Sequence, residues 1–168
     1  MDRLTAPTDS RELRRVFGCF PSGVTAVCAL VDGVPVGMAA STFVPVSLDP
    51  PLVSVCVRSE SMTWPRLRRS EQLGISVLAG NHELACRSLS DRHGDRFHGV
   101  AWRAGAGGAV FVEDGVAWLS CQLYAELPAG DHVIALLHIA GVQANAEGEP
   151  LVFHRSRFRK LVASTVEP

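Results

Sequence analysis

Apolar and small polar residues alternate through the stretch Leu52–Val57 from Val53 onward. Val53, Val55 and Val57 take one face and Ser54 and Cys56 the other, the period of a half-buried strand. Apolar, β-branched runs at 24–31, 34–43, 73–78, 132–142 and 151–154 predict further strands. Asp32-Gly33 joins the first two of these as a two-residue hairpin. Asp114-Gly115 predicts a second hairpin, between 109–112 and 116–127. Helical spacing is sparser. Leu13, Val16 and Phe17 follow a capping pattern at 9–12 and stop at Gly18 and Pro21. Thr63-Trp64-Pro65 reads as a hydroxyl cap before a first-turn proline, and Asn81 as the cap of a helix carrying Leu84, Ala85 and Leu89. Seven or eight strands with a few short helices predict a mainly β, antiparallel barrel rather than a doubly wound sheet. No repeat or linker divides the chain, so a single domain over 1–168 is expected.

The bulk composition agrees with an ordinary globular core: 168 residues, 47% hydrophobic and 20% charged. A formal net charge of −1 speaks against a general binder of nucleic acid or anionic membrane, which needs a basic surface. Glycine, proline or charge interrupts every apolar run before it reaches membrane-spanning length. The opening "MDRLTAPTDSREL" has no apolar stretch like that of a signal peptide, so a cytoplasmic location is expected. Cys19, Cys28, Cys56, Cys86 and Cys121 are odd in number and widely spaced, which favours reduced, mostly buried thiols over a disulfide or zinc framework.

Several common chemistries fail on spacing. The glycine cluster "GAGG" at 105–108 has Val110 where a dinucleotide fingerprint needs a third glycine, and it precedes a β-like run instead of a helix. The sole lysine, Lys160, lies far from any glycine-rich turn, which excludes a P-loop. The histidines form no H-E-x-x-H or H-x-H pattern. His132 and His138 share a predicted strand but stand roughly 20 Å apart along it, too far for one ion. Ser22, in "FPSGV", lacks the G-x-S-x-G turn of a serine nucleophile.

Two segments remain unexplained by these tests. "GMAASTFVPVSLDPP" at 37–51 places small and hydroxyl residues ahead of a double proline, which bars a helix or a central strand at Pro50-Pro51. Such a wall suits a flat ligand lying close to backbone. It equally suits a crowded strand crossing in which Ser41, Thr42 and Ser47 bond to neighbouring backbone. "RSESMTWP" then puts Ser59, Ser61 and Thr63 before a helix start, where unpaired N–H groups favour a phosphate or where the hydroxyls simply cap. Glu60 would oppose an anion there. Taken together, the two segments fit a ligand with a broad ring and a phosphate tail.

With these residues in view, the chain resembles the flavin reductase-like family, the short NAD(P)H:flavin oxidoreductases. The likeness runs from about Leu13 to Val162 and rests on "FPSGVTAV", "GMAASTFVPVSLDPPLVSVCV", "GDRFHGVAW", "GDHVIALLHI" and "PLVFHRSRFRKL" in that order. It implies an antiparallel split β-barrel of the FMN-binding type, a homodimer, and FMN or FAD reduced by NADH or NADPH. By position it implies that Pro21, Ser22, Gly23 and Val24 border the isoalloxazine, and that Ala40, Ser41 and Thr42 line the ring and ribityl chain. Ser47, Leu48 and Asp49 would meet the polar ring edge, while Ser59, Ser61 and Thr63 would hold the phosphate. His132 would face the nicotinamide as the catalytic residue, with Asp131 fixing its tautomer and Phe97 flanking the same space. Arg96 either neutralises a phosphate or solvates a loop. Ala39 and Val44-Pro45 depart from the family's commoner Thr and Thr-Ser. The implied activity is hydride transfer to flavin, with the reduced flavin leaving for a partner monooxygenase. The alternatives are a flavin carrier with little reductase activity and a flavoprotein that oxidises a small substrate directly.

Overall fold

The computed structural model describes residues 6, 7 and 9–162. After α1 (Ser10–Phe17) and the two-residue β1 (Ser22–Gly23), the chain forms the hairpin β2 (Thr25–Val31) and β3 (Val34–Ala40). Asp32 and Gly33 at its tip both have positive φ, 54° and 76°, as this tight turn requires. Then come β4 (Val44–Leu48), β5 (Pro51–Arg58), α2 (Trp64–Leu67), β6 (Leu73–Val77) and α3 (Glu83–Ser90). The second half holds β7 (Trp102–Ala104), β8 (Val110–Val112) and the long β9 (Ala117–Ala129) and β10 (His132–Ala144). The short β11 (Val152–His154) and β12 (Arg157–Arg159) close it. Seven strands make one antiparallel sheet in the order β3-β2-β6-β9-β10-β5-β4. The fold is mainly β with few helices, as the sequence pattern predicts.

This sheet curls until the chain beyond β3 reaches β5. There Thr42 Oγ1 accepts the Cys56 N–H at 2.9 Å and donates to the Cys56 carbonyl at 3.1 Å. The last β4–β5 pair is Val44 with Ser54, so Thr42 serves backbone groups that β4 no longer reaches. Val27, Val53, Val55, Leu73, Ile75 and Leu137 fill the interior, and Trp64 and Leu67 of α2 join the same cluster. A second cluster lies on the other face, where Ala26, Cys28, Leu89, Val110 and Val112 pack under α3 and β8. Because β2 contributes to both, its apolar run is unbroken rather than alternating.

Three expectations change. Asp114-Gly115 is a turn, with Asp114 at φ 55°, but not a hairpin: β8 pairs with β7, while β9 pairs with β6 and β10. A Cβ on Gly115 would come within 2.9 Å of the Val77 carbonyl, so the glycine serves a close crossing over the end of β6. β4 is an additional strand: the predicted one ends at Phe43, whereas β3 stops at Ala40 and β4 starts at Val44. It is an edge strand, and its Pro45 sits at a register shift where a missing donor is tolerated. Pro51 is likewise accommodated as the first residue of β5. The N-cap position of the third helix is His82 instead of Asn81; its side chain makes no capping bond, and its Nδ1 accepts the Ala79 N–H of the preceding turn at 3.1 Å.

Burial holds the His82 pKa below its ordinary 6.5, and the charge of Asp114 offsets this only in part. Between the folded value and 6.5 the unfolded chain binds more protons, so stability rises with pH through that window and falls on acidification. Thermal unfolding between about pH 5 and 8 should show that slope, and His82→Gln should flatten it. An unchanged slope in the variant would remove His82 from the account.

Candidate functional site

Two adjoining cavities meet at the end of β3, the larger toward β5 and the smaller toward α3 and the β11–β12 hairpin. The larger, about 530 Å³, is lined by residues 38–42, by Cys56, Val57 and Arg58, by Glu60 and 61–63, by the end of α3 with the loop to Arg96, and by His132. The smaller, about 350 Å³, lies between Val24, Cys86, Arg87, Phe153 and Phe158. Ala39, Ala40, Ser41 and Ser90 face both, so one low wall runs through a continuous groove. Small residues arise here for two reasons. A Cβ at Gly37 would meet Cys28 Sγ at 2.5 Å and Phe97 Cζ at 3.0 Å, so that position is set by packing. Residues 39–41 instead leave open space. The Ala40 carbonyl is satisfied by Thr25 Oγ1 at 3.1 Å.

At one end the groove meets the start of α2. Ser61 Oγ accepts the Trp64 N–H at 3.1 Å and so caps the helix, while Thr63 makes no capping bond. Thr63 Oγ1 accepts from Arg96 Nη1 at 2.8 Å. Arg96 also donates to the Gly37 carbonyl from Nη1 (3.0 Å) and to the Asp91 carbonyl from Nε (2.6 Å). All three acceptors are neutral, so these bonds orient the guanidinium without cancelling its charge. Each hydroxyl has one acceptor position taken, and both Ser61 and Thr63 keep an O–H to donate. The lining holds Arg58, Arg92 and Arg96 against a single carboxylate, Glu60, which is exposed. Donors and positive charge make this end a cradle for an anionic group.

His132 begins β10 beside the same cavity. Its Nδ1 lies 2.7 Å from Asp131 Oδ1, which assigns the proton to Nδ1 and frees Nε2. The bond to His132 in turn holds the Asp131 carboxyl below its usual range. Burial pushes Cys28 and Cys121 up to about 12 and raises Cys86, which keeps these three thiols protonated at neutral pH. The described cysteines are free, and among the described residues no group of three His, Cys, Asp or Glu side chains could hold a metal.

The flavin reductase like domain model matches residues 17–162. A flavin reductase of Pseudomonas putida is 34% identical over 151 residues, 89% of each chain. The reductase subunit HsaB of a flavin-dependent monooxygenase from Rhodococcus jostii is 33% identical, over 89% of this chain and 77% of its own. The solved structure of the Streptomyces globisporus C-1027 NADH:FAD oxidoreductase in complex with NAD and FAD fragments superposes with a TM-score of 0.90. That chain is 36% identical, and the match covers 98% of this chain and 100% of that one. The chain belongs to the flavin reductase-like family.

Of the residues that the family resemblance singles out, Ala40, Ser41, Thr42, Ser61, Thr63 and His132 line the larger cavity, and Val24 the smaller. Thr42 has both hydroxyl functions committed to Cys56. Pro21, Ser22, Gly23, Ser47, Leu48, Asp49 and Ser59 line neither cavity, and Leu48 is 97% exposed. Phe97 packs in the second cluster, edge-on to Trp102 at 6.1 Å, and stands behind the wall. Sequence reasoning left Arg96 undecided between a phosphate and a loop. Its signal is the shared cavity with Ser61 and Thr63, which 33 residues of chain conceal. Phe153, Phe158 and Arg87, with the Arg87 guanidinium 5.3 Å above the Phe158 ring, were missed altogether.

Arg96→Met should raise the dissociation constant for FMN, used as a probe, about tenfold, the loss expected for one charged donor. Fluorescence titration checks this, and equal affinities in the two proteins would dissociate Arg96 from the anion cradle.

Proposed function

We propose that this chain is an NAD(P)H:flavin oxidoreductase that reduces FMN or FAD and passes the reduced flavin to a partner monooxygenase. One observation carries the reading: a wall of small residues, shared by two cavities, leads into a cradle of hydroxyl donors and three arginines against one exposed carboxylate. A flat ring fits along 39–41 without side chains to displace it, and a phosphate fits among Ser61, Thr63 and Arg96. Flavin supplies an acceptor for hydride and the nicotinamide supplies the hydride, so the protein needs no nucleophile. The chain's own work is to hold the phosphate, keep the wall low and present His132. With Nδ1 anchored on Asp131, His132 Nε2 is available to orient a nicotinamide carboxamide. The naming of the Rhodococcus relative as a reductase subunit favours a two-component system.

We also infer a homodimer, in which a second copy covers the exposed Val44, Val46 and Leu48 on the edge strand β4. Light scattering should return twice the chain mass; a monomer at micromolar concentration would refute this.

Mixing the protein with FMN and NADH should consume NADH absorbance catalytically. Absence of turnover with flavin bound would favour the carrier alternative, and flavin retained through gel filtration during turnover would favour direct oxidation of a small substrate. His132→Ala should raise KM for NADH about tenfold, the scale of one hydrogen bond, with a smaller change in kcat. An unchanged KM would exclude His132 from nicotinamide binding.

A further inference from the structure

Behind the anion cradle, one carboxylate on β9 grips both ends of α2. Glu126 Oε1 accepts the Trp64 indole N–H at 2.7 Å, and Oε2 takes Arg68 Nη2 at 2.6 Å. Trp64 is the first residue of the helix and 4% exposed, while Arg68 is its C-cap. The Glu126 side chain itself is 17% exposed, so both bonds form in a site partly shielded from water. A helix of four residues cannot hold its own orientation by backbone bonding alone. What fixes its start, and hence Ser61 and Thr63, is the burial of Trp64 together with this carboxylate.

The same glutamate belongs to the strand pair that carries His132. It stands opposite Ala135 of β10, three residues beyond His132. Nearer the tip, Ser59 N–H donates to the Asp131 carbonyl at 3.0 Å. The loop 59–63 is therefore flanked by two ties, Ser59 to the turn between β9 and β10 and Trp64 to β9. A simple packing role for Trp64 would need only some acceptor for its N–H. It would not need that acceptor to engage Arg68 at the far end of the helix as well.

We infer that Glu126 is a positioning residue that sets the separation between the anion cradle and His132, so that a bound flavin and a nicotinamide meet in register. The inference rests on the reading of the groove as a flavin and NAD(P)H site. Three variants test it: Glu126→Ala, Glu126→Gln and Arg68→Ala. FMN affinity is read by fluorescence quenching, and kcat and KM for NADH by steady-state kinetics, with thermal unfolding measured alongside. Glu126→Ala should weaken FMN binding about tenfold and, with both substrates saturating, lower kcat about tenfold, because lost register slows the transfer itself. Glu126→Gln keeps an acceptor for the indole and should recover most of the affinity. Arg68→Ala removes only the outer arm and should fall between wild type and Glu126→Ala. If Glu126→Ala does not fold, the other two decide: FMN affinity in Arg68→Ala equal to wild type overturns the inference. So does a folded Glu126→Ala with unchanged FMN affinity, or a Glu126→Gln as impaired as the alanine variant. Wild-type protein that binds no FMN overturns the groove assignment itself, and the positioning role with it.

Discussion

The architecture turns on how the curled sheet ends. β3 and β4 are its two edges, and no ladder joins them. The junction is made by one threonine hydroxyl, which serves both the N–H and the C=O of Cys56. A full strand at this place would fill the interval with paired backbone and alternating side chains. A single hydroxyl satisfies the orphaned groups and leaves the space beside it open. The groove is the volume that incomplete closure leaves behind. This explains why the low wall at 39–41 immediately precedes Thr42 in the chain.

The chemical character of the groove follows from how its polar groups are spent. Ser61 and Thr63 each give up acceptor capacity to a neighbour, the first to a backbone N–H and the second to a guanidinium. Arg96 is held by a carbonyl of β3, a carbonyl beyond α3 and the Thr63 hydroxyl, so three elements converge on one cation. Orientation and charge are thereby separated. Neutral oxygens fix the guanidinium, and its field remains available to a ligand. A carboxylate partner would have oriented it equally well and cancelled that field.

Much of this was legible in the chain, and the failures have physical causes. The alternation at 53–57 predicts β5 because Val53, Val55 and Val57 enter the main core cluster, while Ser54 and Cys56 take the opposite face. Asp32-Gly33 predicts its hairpin because a two-residue loop demands positive φ at both positions. The same dipeptide pattern at Asp114-Gly115 misled, since the conformation is local and the pairing is not: the turn sends the chain from one sheet to another. β4 was lost because Pro45 and its solvent-facing valines resemble a loop unless the strand is known to lie on an edge. Arg96 and Glu126 were beyond reach for a different reason. Each acts through partners tens of residues away, and periodicity carries no information about such partners.

The candidate site therefore combines one feature of local sequence with one of topology. Hydroxyls ahead of a short helix are local, and they suggest an anion only as strongly as they suggest a cap. In this chain they are both, because a hydroxyl that accepts from a backbone N–H still has its own proton to give. Capping and anion binding thus cease to be rival explanations for Ser61. The cap fixes the oxygen, and the fixed oxygen makes a directional donor whose cost in side-chain entropy is met on folding instead of on binding. By the same logic the packing of Gly37 against Cys28 and Phe97 lets Arg96 reach its carbonyl. Core packing and ligand chemistry share residues here because the wall of the core is also the floor of the groove.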